Sequence, residues 1–412
     1  MMVKKRKIII TGADGFVGSN LKSYFQKYGF DVFSFIFENK ISNRKNVIFC
    51  DITNKEGVLK SIKKIKPEII FHAAGISSLV KCEEDKKLAE QVNIYGTRNI
   101  ISAIKSVNPK IKLVFFSSDY VFDGKRGNYK EGDKRNPATF YGRTKLISED
   151  DIKRELKYFI ILRTANVYGS DGGNFFNFVL KSINQGKNIE VFNDTFFSPT
   201  YIEYLMGSVA KLIENDFSGI IHIAGKEKIS RYDFASLLGK VVRGGDKSTI
   251  NPVKSSSGIL IAKDSSLNTA FSQKYLENFC PTIEKSFQYC LGNLIYPYFY
   301  FGDKRGRITG LMNKFNFEEI NYIESIKGQI RGGHYHKNTK EAFFIVEGKI
   351  LVELEYVNDK KKHKNFIVEK GDIFVVNPEI VHTFRILKDS KWINMLSKKM
   401  DEKNKDIHRF KK

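Results

Sequence analysis

The chain reads as two domains of different class: a doubly wound, parallel α/β sheet over residues 1–290, then an all-β jelly roll over 303–400. Three observations lead there. A glycine-rich turn follows the first apolar run directly. Apolar runs and amphipathic stretches then alternate, to about residue 225. Beyond Asp303 short alternating runs separated by turn residues carry a group of histidines. A length of 412 residues fits two to three domains. The 42% apolar content is enough for proper cores, and no window nears the roughly 18 apolar residues of a membrane span.

In chain order, Lys7-Ile8-Ile9-Ile10 is the first strand. Its basic lead-in imitates a signal peptide, but the apolar run is only three residues long before Thr11-Gly12. Gly12, Gly15 and Gly18 then form G-X-X-G-X-X-G, with Phe16 and Val17 opening an amphipathic helix. Glycines there permit a tight turn and a close backbone approach, and the helix N-terminus faces a pyrophosphate. Further strands are expected at Asp31–Phe35, Asn46–Asp51, Pro67–Gly75 and Lys112–Ser118. Ligands of such sheets sit beyond the strand C-termini. Asp51 with Ile52, then Ala73, Ala74, Gly75 and Ser118, fall at those ends and are the expected cofactor-binding positions. Glu38 would pair a ribose diol and favour NADH, whereas Lys40, Arg44 and Lys45 would meet the 2′-phosphate of NADPH. NADPH is the slightly favoured cofactor.

Tyr141 and Lys145 are four apart, on one face of a helix. An ammonium beside the phenol would lower the tyrosine from its usual ~10 and suit a general acid that protonates an alkoxide. Ser118 would bond the substrate carbonyl.

Near the C-terminal end, Gly328, His334-Tyr335-His336, Glu341 and Gly348 follow one another at intervals of five, four and six residues, with His382 later. Two histidines at i and i+2 on a strand share a face. Three imidazoles and one carboxylate suit Zn, Mn, Fe or Ni. Two readings stand: His334, His336, Glu341 and His382 as ligands of a divalent metal, or His334 as a catalytic acid/base.

The aromatic stretch 291–302 reads as a buried connecting strand or interdomain contact rather than a sugar platform, and 401–412 as a polar, basic tail. The net charge of +23 does not indicate nucleic acid, because 54 of the 69 basic residues are lysines spread along the chain among 46 acids. Cys50, Cys82, Cys280 and Cys290 show no Cys-X-X-Cys, which suits the reducing cytoplasm.

These residues carry resemblances. The glycine turn with Ser118, Tyr141 and Lys145 resembles the extended short-chain dehydrogenase/reductases, a Rossmann fold. Phe116-Ser117-Ser118-Asp119-Tyr120-Val121-Phe122-Asp123-Gly124, Leu162 to Gly169, Ser198-Pro199-Thr200-Tyr201, Ile221 to Gly225 and Lys263-Asp264-Ser265-Ser266-Leu267 are similar to the dTDP-4-dehydrorhamnose reductases. Ala165-Asn166 stands where those enzymes usually have Ser-Trp. The resemblance covers about residues 6 to 290 and implies catalysis by Ser118, Tyr141 and Lys145 on a nucleotide-linked 4-keto-6-deoxy sugar. The histidine pattern resembles the cupin signature, with Ile380 where glycine is common. Arg331-Gly332-Gly333-His334 is similar to the sugar-nucleotide cupins: 3,5-epimerases, 3,4-ketoisomerases, and the C-terminal domain of bifunctional capsular polysaccharide enzymes. Arg331 would hold a phosphate or sugar oxygen, or make a surface salt bridge. Together the resemblances imply a homodimeric C3 (or C3/C5) epimerase and 4-ketoreductase of polysaccharide biosynthesis. A 3,4-ketoisomerase, or a reductase whose cupin only binds or dimerises, stays open.

Overall fold

The computed structural model describes residues 5–37, 45–243, 250–256, 261–276, 280–303, 305–313, 316–400 and 406–409. The chain folds as two compact units. One is Met1–Leu238 with Lys247–Ile283; the other is Gly239–Asp246 with Glu284–Lys412.

The first unit is built on a parallel sheet of β1 (Lys7–Thr11), β2 (Asp31–Ile36), β3 (Val47–Phe49), β4 (Ile69–His72), β5 (Lys112–Ser118), β6 (Phe159–Thr164) and β7 (Gly219–His222). Their order is β7-β6-β5-β4-β1-β2-β3, with parallel pairing throughout. The chain therefore winds outward from β1 to β3, crosses back to β4, and winds the other way. The switch point lies between β1 and β4, where such sheets hold ligands. Central strands of a parallel sheet are covered on both faces, so they read as unbroken apolar runs. Ile8, Ile9 and Ile10 are fully buried, and β5 is buried along its whole length.

Helices α1 (Phe16–Lys27), α2 (Lys55–Ile65), α3 (Gly96–Val107) and α4 (Phe140–Glu155) belong to the covering layers. Val58, Ile62 and Ile65 on α2 recur at helical spacing. They join Ile100 and Ile104 of α3, Ile152 of α4, and Ile9, Leu113 and Phe115 of the sheet in one core. No described helix is long and apolar enough to cross a membrane.

The second unit holds an antiparallel sheet of β8 (Glu319–Ser325), β9 (Ile330–Tyr335), β10 (Glu341–Tyr356), β11 (Asp359–Glu369), β12 (Ile373–Val376), β13 (Ile380–Leu396) and β14 (His408–Arg409). Short strands were expected, but β10 and β13 run for 16 and 17 residues. The physical reason is bulging: their pairing shifts register between Ile345 and Ile350, so one strand bends where the sequence suggests a turn. Gly348 sits at that bend with φ +102°, and a Cβ there would lie 2.1 Å from Ser390 Oγ. Phe343, Ile345, Val352, Phe374, Phe384 and Trp392 fill the core.

Two boundaries differ from expectation. Division by compactness falls at Ile283/Glu284 rather than after residue 290, and the 291–302 segment is part of the β unit. Leu294 is in that unit's core, and Ile295 N donates to Ile373 O at 2.9 Å. Of the expected polar tail 401–412, residues 401–405 and 410–412 lie outside the described residues, while His408–Arg409 pair with β9 (Tyr335↔His408, His334↔Arg409). The hydrogen bonds made by Asp406, described below, are what hold this piece of the chain down.

Candidate active site and metal centre

The turn after β1 tolerates only glycine at its critical points. Gly12 has φ +65°, and a Cβ there would come within 2.8 Å of the Ala74 backbone; at Gly18 a Cβ would lie 2.0 Å from Gly12 O. The turn therefore packs directly on Ala73 and Ala74, which with Gly75 follow β4. Gly15 caps α1 without a side-chain hydrogen bond, so no capping side chain occupies the first N–H groups of the helix, as binding of a pyrophosphate there requires. Phe16 packs against the loop at Gly172, where a Cβ would lie 2.7 Å from its ring, and Val17 follows it on α1. Ile52 packs on Gly96, and Asp51 accepts from Thr53 N at 2.9 Å and Thr53 Oγ1 at 2.8 Å. Glu38, Lys40 and Arg44 lie outside the described residues.

A buried relay ties the switch point together. Thr97 Oγ1 donates to Asn93 O at 2.6 Å and so accepts from His72 Nε2 at 3.0 Å. His72 Nδ1 then accepts from Thr11 Oγ1 at 2.8 Å, and Thr11 Oγ1 accepts from Ala74 N at 3.2 Å. Burial and then Lys145 push His72 down to about 3, so it stays neutral.

Ser118, Tyr141 and Lys145 are all at least nine-tenths buried, and Lys145 Nζ lies 5.9 Å from the Tyr141 ring centroid. Thr139 caps α4 by accepting from Gly142 N at 3.1 Å, which starts the helix one residue before Tyr141. Ser118 Oγ donates to Asp119 Oδ1 at 2.8 Å and accepts from Tyr120 N at 3.2 Å.

The expected electrostatics of this group need correction. Burial raises the Tyr141 phenol above its ordinary value, with the Ser118 hydrogen bond opposing. Lys145 does not reverse this; it donates to Phe116 O at 2.9 Å and is itself lowered to about 8, by burial first and with Glu149 opposing. Desolvation outweighs the pairing because both groups are enclosed. A phenol that keeps its proton is nonetheless a competent acid.

Sequence reading assigned no role to Asn93 or Asp119. Asn93 lies in a π-helical turn (Glu90–Tyr95) and clamps the loop after Gly75. It accepts from Ile76 N at 2.8 Å and donates to Ile76 O and Thr144 Oγ1, each at 3.0 Å. No motif marks it. Asp119 stood within a quoted stretch. Burial pushes it up to about 6, against hydrogen bonds from Ser265 and Ser118 and the charge of Arg231. Asn166 has φ +36°, a conformation asparagine tolerates better than most residues.

In the β unit, His334 lies on β9, His336 just past its end, Glu341 opens β10 and His382 lies on β13 opposite His334. One ligand atom from each falls within 4.8 Å of all the others. Glu341 Oε2 is 3.3 Å from His336 Nε2 and 3.2 Å from His382 Nε2. His336 Nε2 and Glu341 Oε2 are buried without hydrogen-bond partners, an arrangement that is costly unless something else satisfies them. Their outer atoms are occupied. Asn394 Nδ2 donates to Glu341 Oε1 at 3.1 Å, His382 Nδ1 meets Ile380 O at 3.3 Å, and His336 Nδ1 meets Asp406 O. Imidazoles so oriented, with a carboxylate, fit a divalent transition metal. Arg331 bonds Ser325 Oγ and, at 2.9 Å, Glu324 O rather than a carboxylate.

Comparison with known proteins also finds two parts, meeting near residue 300. Residues 6–298 match the family model "RmlD substrate binding domain", and residues 301–400 match "Polysaccharide biosynthesis C-terminal domain". The chain is 31% identical over 233 residues to the spore coat polysaccharide biosynthesis protein SpsK of Bacillus subtilis, covering 56% of this chain and 78% of that protein. It is 30% identical over 194 residues to dTDP-4-dehydrorhamnose reductase of Escherichia coli, covering 46% of this chain and 64% of that enzyme, just under two thirds of its length. Among solved structures, dTDP-4-dehydrorhamnose reductase of Bacillus anthracis in complex with NADP superposes with a TM-score of 0.63 at 28% identity, over 70% of this chain and 99% of that one.

Proposed function

Since the chain belongs to the RmlD substrate binding domain family, we propose that it is a bifunctional nucleotide-sugar enzyme of polysaccharide biosynthesis. Its β unit, read as a cupin, epimerises a 4-keto-6-deoxy sugar at C3, or at C3 and C5. Its α/β unit then reduces the 4-ketone with NADPH. The observation that carries the reading is the burial of Ser118, at the end of β5, together with Tyr141 and Lys145, whose Nζ lies 5.9 Å from the Tyr141 ring centroid.

In this reading NADPH, when bound, supplies the hydride. Gly12, Gly15 and Gly18 admit its pyrophosphate to the N-terminus of α1. Ser118, its hydroxyl turned from Asp119 Oδ1 to the substrate, holds the ketone oxygen, and Tyr141 Oη gives that oxygen its proton. Lys145, cationic at neutral pH, supplies the positive charge that favours loss of that proton. The NADP-bound relative from Bacillus anthracis supports the choice of NADPH.

His334, His336, Glu341 and His382 would hold one divalent ion, which supplies a Lewis acid. The four-atom cluster favours ligation by His334 over a free acid/base role. A 4-keto group acidifies the C–H bonds at C3 and C5, and reduction abolishes that activation. Epimerisation therefore has to precede reduction.

Incubation with UDP- and dTDP-4-keto-6-deoxy sugars plus NADPH, with NMR of the product, tests the whole. Inverted C3 together with a reduced C4 is expected. Reduction with retained C3 stereochemistry would leave a reductase with a metal-binding module, and a 3-keto product would indicate a ketoisomerase.

A further inference from the structure

His336 and Glu341 are joined by a turn of only four residues, so the placement of both depends on how firmly that turn is held. Three consecutive backbone N–H groups of the turn converge on a single carboxylate. Lys337 N donates to Asp406 Oδ1 at 2.8 Å, and Asn338 N and Thr339 N donate to Asp406 Oδ2, both at 2.9 Å. Thr339 Oγ1 adds a fourth donor at 2.8 Å. Successive N–H groups arranged in this way form an anion-binding nest, and here the anion comes from 67 to 69 residues further along the chain.

The same residue reaches the centre by its backbone. Asp406 O, which can only accept, faces His336 Nδ1. That contact puts the proton on Nδ1 and leaves the Nε2 lone pair free. Nε2 is the buried atom without a hydrogen-bond partner, 3.3 Å from Glu341 Oε2. Beyond Asp406, His408 and Arg409 pair with Tyr335 and His334. His382, by contrast, takes its carbonyl from its own strand, two residues away.

We propose that Asp406 is a positioning residue of the metal centre: its carboxylate fastens the turn between two ligands, and its carbonyl orients the His336 ring for ligation. This rests on the metal reading given above. Outer partners of this kind typically change metal affinity by about 10–100-fold when lost.

The full-length chain provides the test. Zn2+ affinity is measured by chelator competition, and the visible spectrum of the Co2+-loaded protein reports ligand geometry. Asp406→Ala is expected to weaken Zn2+ binding by about 10–100-fold and to alter the Co2+ spectrum. Asp406→Asn, which keeps one acceptor oxygen, should fall between it and the wild type; it carries the test alone if Asp406→Ala fails to fold. Asp389→Ala is the control, since Asp389 caps Lys327 N at 2.7 Å elsewhere in the unit; its Zn2+ affinity should equal that of the wild type. If the wild type binds Zn2+ and both Asp406 variants bind within twofold of it with unchanged Co2+ spectra, the positioning role is overturned and the metal reading survives. Wild-type protein that takes up neither ion overturns both.

Discussion

Lys145 points its ammonium at the carbonyl oxygen of Phe116, 2.9 Å away, rather than at the phenol of Tyr141 one helical turn earlier. Its Nζ lies 5.9 Å from the Tyr141 ring centroid. The contact ties α4 to β5 and keeps a positive charge inside the pocket. The acid and the cation are thus not paired with each other, with consequences that can be measured.

Tyr141→Phe removes the proton donor but little packing volume. Reduction of a 4-keto nucleotide sugar, followed as NADPH oxidation, should fall by at least about 100-fold with the thermal midpoint nearly unchanged. A rate near that of the wild type would take Tyr141 out of the mechanism.

The rate should also depend on pH through Lys145. Burial lowers this lysine from 10.5 to about 8, so it is cationic below that value and loses its charge as pH rises through it. If reduction needs the cation, kcat/KM should be flat near pH 7 and decline above about 8, because this parameter reports groups of the free enzyme. A profile that stays level to pH 9.5 would assign the role elsewhere.

Purification without chelator should yield about one divalent ion per chain, by elemental analysis, in view of the four converging ligands. His336→Ala should lose most of it. Equal metal content in the two proteins would mean that the ion binds somewhere else.

Solvent exchange separates the two activities. In D2O, with substrate and no NADPH, the wild type should place deuterium at C3, and at C5 as well if it is a 3,5-epimerase. Tyr141→Phe should do the same, since exchange requires only the ketone and the β unit. His334→Ala should show none by NMR. Exchange that persists in His334→Ala, or never appears in the wild type, would rule out epimerisation by this unit.

Much of this was legible residue by residue because it is local. The period of two in the strands, the period near 3.6 in the helices, the glycines at 12, 15 and 18, and the spacings of Tyr141 with Lys145 and of His334 with His336 are all short-range regularities. Backbone geometry turns such regularities directly into shared faces and tight turns. By themselves they determined a parallel α/β sheet followed by a β region, and the ligand candidates; two strands end earlier than expected, β3 at Phe49 and β4 at His72.

What only the tertiary structure decided involves contacts distant in sequence or the cost of burial. Asp406 meets the turn after His336 some 70 residues away, and no spacing rule marks such a pair. Asn93 clamps a loop 17 residues upstream onto α4, and its own helical turn gives no sign of it. The long strands β10 and β13 bend at bulges, which depend on the partner strand and not on local propensity. The protonation of Tyr141 and Lys145 turned on desolvation by the surrounding fold, which overcame the pairing suggested by their spacing. Sequence periodicity decides which way a side chain points, and only the assembled fold decides what it meets and how much water is left around it.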